Sequence, residues 1–339
     1  MEVAITARRL GTRRTGGPPA LVVCGLLIIA LRLCMPSDDR STPDLPASDE
    51  PAGAFPLPWE EVLPLAESAA LPADQVLPAV SAPVFTASDY HTSGTVYFKN
   101  ETDYAIDMAA LLKKDSPVAL GGEGVQVLIM HTHGTEAYTQ SPGHSYTASG
   151  EYRTTDSSAN MLRVGKEICD ALNARGISTV HSQTLNDYPA YNGSYNRALK
   201  DIQSYVNRYP SIRLVIDVHR DAIASNGTYY KTAADIDGAQ TAQLMFVTGT
   251  DAGGLSHPGW RDNLTFQAQL HDRLNSLYPG IMRPMSIRAS RFNQHIRAGS
   301  MLVEVGACGN TLEEALAAAR VFAETLADVL LEEENKGGQ

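Results

Sequence analysis

The sequence predicts an α/β fold: a mixed, largely parallel central sheet flanked by helices, preceded by a transmembrane anchor and a disordered linker. Three observations predict it. Short continuous apolar runs of strand length alternate with longer segments of helical periodicity, the pattern of a sheet covered on both faces. Close to the N-terminus, an apolar run has arginines before it and acids after it. Between that run and the alternating part lies a Pro-rich stretch with too few apolar residues to bury a core.

Residues 20–31 are unbroken and apolar; Arg32 interrupts the run and Leu33, Cys34 and Met35 continue it. The stretch is short of the roughly 20 residues that span a bilayer, but an Arg near its end can snorkel to the interface. Arg8, Arg9, Arg13 and Arg14 precede it and Asp38, Asp39 and Asp44 follow, which places the N-terminus in the cytoplasm and the remainder outside. No small-x-small cleavage site follows the run, so residues 1–36 are expected to be a retained signal anchor. Residues 37–84, with Pro43, Pro46, Pro51, Pro56, Pro58, Pro64, Pro72 and Pro78, are the expected linker. Residues 85–123 form a transitional segment, strand-like at 95–98 and helical at 104–112.

The domain proper is expected over residues 124–335. Residues 125–130 read as a buried strand. Residues 160–174 carry helical periodicity and stop at Gly176. A short strand follows at 177–180, a helix at 195–209 ending before Pro210, and a buried strand at 214–218. Residues 229–236 and 244–248, joined through Asp237-Gly238, suggest a hairpin or paired strands. Residues 264–277 are helical, 301–305 a third buried strand, and 312–331 a long Ala-rich helix. The net charge of −11 excludes a basic nucleic-acid-binding face as the main feature of this chain. Without a Cys-x-x-Cys pair, a thiolate metal site is not expected, and Cys169 and Cys308 read as two unpaired buried thiols.

Ligands of open α/β sheets gather beyond the carboxyl ends of strands. After the first strand come His131-Thr132-His133-Gly134-Thr135-Glu136; after the second, His219-Arg220-Asp221; within the third lies Glu304. Two histidines and a carboxylate are a common catalytic zinc set, leaving a position for water, and a second carboxylate can take that water's proton. The expected ligands are His133, Glu136 and His219, with His131 and Asp156 as alternates, and Glu304 is the expected general base. Strand alternation would put His131 and His133 on one face. Glu304 is costly to bury in an apolar strand without a role, although an ion pair with Arg288, Arg291 or Arg297 would also account for it. His144, His181, His257 and His271 read as surface or structural residues. The polar run from Ser290 to His295 is either a surface loop or a lining of the substrate groove, with Asn293 and Gln294, together with Arg220, as candidate substrate-binding residues.

These residues resemble a known family. The blocks Val127-Leu128-Ile129-Met130-His131-Thr132-His133-Gly134-Thr135-Glu136-Ala137-Tyr138, Tyr191-Asn192-Gly193-Ser194-Tyr195, Val215-Ile216-Asp217-Val218-His219-Arg220-Asp221-Ala222, Arg291-Phe292-Asn293-Gln294-His295 and Leu302-Val303-Glu304-Val305-Gly306 resemble, in order and spacing, the stage II sporulation protein P family. More remotely, the domain looks like the zinc-dependent N-acetylmuramoyl-L-alanine amidases. The resemblance implies a zinc amidase/carboxypeptidase-like fold and a membrane-tethered peptidoglycan hydrolase acting between the two membranes of a spore-forming cell during engulfment. Such an enzyme removes stem peptides from glycan strands and is also associated with cutting peptide cross-links. The implied partner is the sporulation lytic transglycosylase, stage II sporulation protein D. By position, His133 and His219 match zinc ligands and Glu304 the catalytic carboxylate. The remote amidases place a ligand Glu at the start of the first helix, where this chain has Asp156, Ser157 and Ser158, so Glu136 and Asp156 both remain candidates. Gly134 stands where relatives are expected to have Thr or Ser. Two alternatives stand beside this expectation: a zinc carboxypeptidase or endopeptidase, with Arg220, Arg288 or Arg297 closing the pocket, and a non-catalytic wall-binding module.

Overall fold

The computed structural model describes Val80–Ser81, residues 90–225 and residues 227–337. The expected anchor lies outside these residues, as does the expected linker apart from Val80–Ser81. Among the described residues no helix is long and apolar enough to cross a membrane. Strands β1 (Val80–Ser81), β2 (His91–Ser93) and β3 (Val96–Asn100) and the short helix α1 (Met108–Leu111) come first. Then follow β4 (Val127–Met130), α2 (Met161–Ala174), β5 (Thr179–His181), α3 (Ser194–Arg208) and β6 (Leu214–Asp221). Next are β7 (Ala224–Ser225), β8 (Thr228–Lys231), β9 (Ala233–Ile236), β10 (Ala239–Ala242) and β11 (Leu244–Gly249). The chain continues through α4 (Trp260–Leu277), β12 (Met285–Arg288), β13 (Met301–Ala307) and α5 (Leu312–Gly337).

Eight strands form the central sheet in the order β2-β3-β12-β11-β13-β6-β4-β5. The last four are parallel neighbours. β11 runs against β13, β12 and β3 continue parallel to β11, and β2 closes the edge antiparallel. The sheet is mixed and mostly parallel, as the alternating pattern predicts. It also takes in the transitional segment, whose β2–β3 hairpin is an edge of the same sheet. The expected hairpin is drawn differently. Asp237 and Gly238 do form its turn, both at positive φ, but they join β9 to β10, while β11 enters the central sheet beside β13. β12 falls in a stretch where the sequence suggested no strand.

Side-chain alternation sorts the sheet's two faces. Val127, Ile129, Ile216, Val218, Val303 and Val305 share a core with residues of α2, α4 and α5. Leu128, Met130 and Val215 pack on the opposite face with Ala198, Ile202 and Val206 of α3, and Leu302 and Val247 pack with Phe292. The parity of Val215 and Leu302 is also that of Asp217, His219 and Glu304. Those three therefore belong to the α3 face, at the carboxyl ends of adjacent parallel strands.

α2 begins as the sequence suggests: the Asn160 side chain caps it by accepting from Leu162 N at 3.0 Å, and Gly176 ends it at φ +82. Its Gly165 has a different reason. A Cβ there would lie 2.4 Å from His131 Nε2 and 2.7 Å from His181 Nε2. Gly165→Ala should destabilise the chain by about 1–3 kcal/mol through overpacking, despite Ala being the better helix former. Denaturant unfolding checks this, and unchanged or greater stability would contradict the packing argument.

Candidate functional site

The segment after β4 hangs on two buried carboxylates. Asp217 on β6 accepts from Thr132 N at 2.8 Å and Thr132 Oγ1 at 2.6 Å. Asp187, in the loop before α3, accepts from Thr135 N at 3.1 Å and Thr135 Oγ1 at 2.6 Å. Arg220 ties the far side down, donating from Nε to Ala137 O and from Nη2 to Tyr152 O, each at 3.0 Å. Between these anchors the chain turns, and the turn delivers His133 and Glu136 to the same place.

His133 is buried. Its ring stacks on Tyr191, with centroids 4.6 Å apart and planes at 10°, and meets the rings of Tyr195 and His219 edge-on, the latter at 5.2 Å. Burial first, then the positive charges of His219, Arg153 and Arg220, hold His133 well below the usual histidine range, so it is a neutral imidazole. His219 is equally buried but has the opposite tendency. Burial would lower it, yet Asp217, with Glu136 and Glu304 behind it, raises it to about 9. Its Nε2 lies 2.9 Å from Asp217 Oδ1 and its Nδ1 lies 3.7 Å from Glu136 Oε2. Asp217 thus lies against one ring nitrogen as an ion-pair contact without hydrogen-bond alignment, and the other nitrogen faces Glu136. Glu304 stands directly opposite His219 in the β13–β6 register. Its Oε2 is shielded from water and has no hydrogen-bond partner. Burial, then the charges of Asp221 and Glu136, raise this carboxyl above the ordinary range, against the pull of His219 and Arg283.

A cationic metal suits these donors: two imidazoles and a carboxylate face one another, and a second carboxylate beside them has an unpartnered oxygen aimed into buried space. Among the described residues no three such side chains are closed into a ligand cluster. The Glu136 carboxylate is instead held by Arg153 Nη2 at 3.4 Å and Arg220 N at 3.3 Å.

Other expected site residues are placed elsewhere. His131 has the parity of Ile129 and points to the α2 face, with Nδ1 2.9 Å from Val218 O and Nε2 2.8 Å from His181 Nε2. The alternation argument that put it beside His133 fails because β4 ends at Met130 and a turn intervenes. Asp156 is exposed, and its Oδ1 accepts from Ser158 N and Oγ. Gln294 is buried, accepting from Gly249 N and donating to Val247 O, and so pins its loop to β11. Asn293, at φ +55, donates to Tyr195 O and sets the loop against the aromatic wall of His133. Arg220, buried and bound to two carbonyls, is likewise a structural clamp. The arginines of the carboxypeptidase alternative are therefore committed: Arg220 as described, Arg288 to Ser286 and Glu101, and Arg297 to Ile212 O.

Sequence reasoning gave no individual role to Asp217, Asp187, Arg153 or Tyr191, although Asp217 and Tyr191 stand in the blocks that carry the family resemblance. Asp217 carried a usable signal, a charge within an apolar strand, the same one that singled out Glu304. Asp187 and Arg153 lie in loops and had none. Cys169 and Cys308 are free and buried, as expected.

Comparison with known proteins adds the following. The family model described as Stage II sporulation protein P matches residues 60–327. Stage II sporulation protein P of Bacillus subtilis (strain 168) is 28% identical over 230 residues, covering 62% of this chain and 54% of that protein. The chain thus matches about half the length of that curated relative. Among solved structures, N-acetylmuramoyl-L-alanine amidase AmiC2 of Nostoc punctiforme is 15% identical, with a TM-score of 0.34 over 62% of this chain and 98% of that one. The N-acetylmuramoyl-L-alanine amidase of Clostridium difficile 630 is 16% identical, with a TM-score of 0.37 over 63% and 98%. The CwlD amidase from Clostridioides difficile, solved in complex with the GerS lipoprotein, is 12% identical, with a TM-score of 0.34 over 62% and 99%.

Proposed function

Because this chain belongs to the stage II sporulation protein P family, we propose that it is a membrane-anchored, zinc-dependent peptidoglycan hydrolase that cleaves the N-acetylmuramoyl-L-alanine amide bond during sporulation. The observation that carries the proposal is the grouping of His133 and Glu136, in the turn after β4, with His219 and Glu304, paired within the carboxyl-terminal halves of β6 and β13, with Glu304 Oε2 buried and unpartnered. His133, Glu136 and His219 would hold the zinc. Bound zinc supplies Lewis-acid polarisation of the scissile carbonyl and of a water. Asp217 lies 2.9 Å from His219 Nε2, and Nδ1, 3.7 Å from Glu136 Oε2, is the nitrogen on the side of the other carboxylate ligand. Glu304 takes a proton from the attacking water and returns it to the departing amine. A carboxyl pushed above its ordinary range suits both halves of that exchange.

The apolar run at 20–31 with its flanking charges supports tethering, and the Pro-rich linker supports a domain held off the membrane on its outer side. In the sporulating cell that side is the space between the two membranes. A lytic transglycosylase such as stage II sporulation protein D fits as the partner that cuts the denuded glycan. Cleavage of peptide cross-links belongs to the same proposal, because the site's chemistry is common to both amides.

The test is a digest of purified peptidoglycan with the full chain in detergent, with and without a chelator, read by mass spectrometry. Peptide-free glycan and intact stem peptides should appear, vanish on chelation and return with zinc. Single released amino acids would replace the amidase with a carboxypeptidase. Zinc uptake without products would favour a wall-binding module.

A further inference from the structure

Arg153 stands where the backbone of residues 152–154 runs against that of residues 135–137, with Ala137 N donating to Tyr152 O and Thr154 N to Thr135 O, each at 2.8 Å. Glu136 and Arg153 face each other as an isolated antiparallel bridge. Tyr152, immediately before, is held at φ +48, a left-handed backbone that a non-glycine residue adopts at a cost. From there one guanidinium makes several contacts. Nη1 donates to Asp187 Oδ2 at 2.5 Å and to Thr135 Oγ1 at 3.1 Å. Nη2 donates to Glu136 Oε1 at 3.4 Å. The plane lies over Tyr191, 4.9 Å from the ring centroid, and Tyr191 in turn lies flat on His133. A single planar group therefore reaches both a carboxylate and an imidazole of the candidate centre, the carboxylate directly and the imidazole through one ring.

We infer that Arg153 is a positioning residue of this centre, aiming Glu136 through Nη2 and fixing the plane of His133 through Tyr191. The inference rests on the zinc reading above. A competing effect must be weighed, because a cation beside a metal site also repels the metal. Asp187 offsets part of that repulsion: its carboxylate is fully buried against Arg153, although the guanidinium charge still reaches His133. Against the remaining repulsion stands orientation, and partners that orient metal ligands are typically worth about 10–100-fold in metal affinity. Lysine cannot replace the fork, since a point charge cannot hold Asp187 and Glu136 at once while covering the Tyr191 ring.

The test measures zinc affinity of the full chain by competition with a chromophoric chelator. Arg153→Gln should bind zinc about 10–100-fold more weakly than the parent, with Arg153→Lys recovering only part of the loss. Circular dichroism and thermal unfolding establish that each variant is folded. If Arg153→Gln does not fold, Tyr191→Ala, which leaves the Arg153–Asp187 pair in place, should weaken zinc binding through His133. Equal or tighter binding in the folded variants would overturn the inference and leave the zinc reading standing. A parent chain that takes up no zinc would overturn both.

Discussion

On the proposed amidase reading, Glu304→Gln should lower peptidoglycan turnover about 10²- to 10⁴-fold, the range that a positioned proton-transfer group contributes, while zinc uptake should stay at the parent level. The separation follows from geometry. Glu304 lies across from His219 in the strand register, whereas the groups facing His219 Nδ1 and stacked around His133 are Glu136 and the tyrosines. Glutamine keeps the shape of the side chain, exchanges one acceptor oxygen for a donating amide, and cannot accept the proton. Its buried amide meets the same space in which Oε2 has no partner, so little is lost from the fold. Because the carboxylate is partly destabilised by burial and by Asp221, removing its charge should leave thermal stability equal or higher. Retained turnover in a variant that binds zinc normally would remove Glu304 from the mechanism.

On the proposed zinc reading, His219→Ala should abolish zinc uptake, and it should destabilise the chain as well. Zinc content should fall from one ion per chain to none at micromolar metal, because an imidazole facing Glu136 is lost. The second effect is independent of zinc. Asp217 is buried and pairs with His219 Nε2 at 2.9 Å; taking away one member of a buried pair costs about 3–5 kcal/mol. Thr132 N and Oγ1 still donate to Asp217, which places the loss toward the lower end of that range. Adding Asp217→Asn to His219→Ala should restore part of the stability by discharging the stranded carboxylate. Zinc-free chelated protein, unfolded in denaturant, gives the three values required. A double variant no more stable than His219→Ala would mean that Asp217 is held by Thr132 alone.

The central strands were legible because the buried ones are almost unmixed. Apart from Gln126, Asp217 and Glu304, residues 125–130, 214–218 and 301–305 are apolar on both parities, as strands covered on both faces must be, and each became a member of the central sheet. The helices were legible through their ends: Asn160 and Gly176 bound α2, and Pro210 follows α3. β12 was not legible. It is four residues long and includes Ser286 and Arg288, and its place in the sheet is set by pairing with β11 and β3, which lie far away in sequence. The hairpin was half legible, since Asp237-Gly238 announces a turn but a turn does not say how far the strands on either side continue.

By itself, the sequence determined the fold class, the apolar strands and the residue types able to carry chemistry, because periodicity and the cost of burying charge are local and can be read along one dimension. Only the tertiary structure decided which of those residues meet. It placed β13 beside β6, so that Glu304 faces His219, and turned the chain after Met130, so that His133 and His131 part to opposite sides of the sheet. It buried Arg220 and Gln294 on backbone partners and brought Asp217, Asp187, Arg153 and Tyr191 around the centre. The physical reason is that hydrogen bonds and ring contacts depend on distances of a few ångströms between segments dozens of residues apart, and strand order, register and turn geometry set those distances only once the chain has folded.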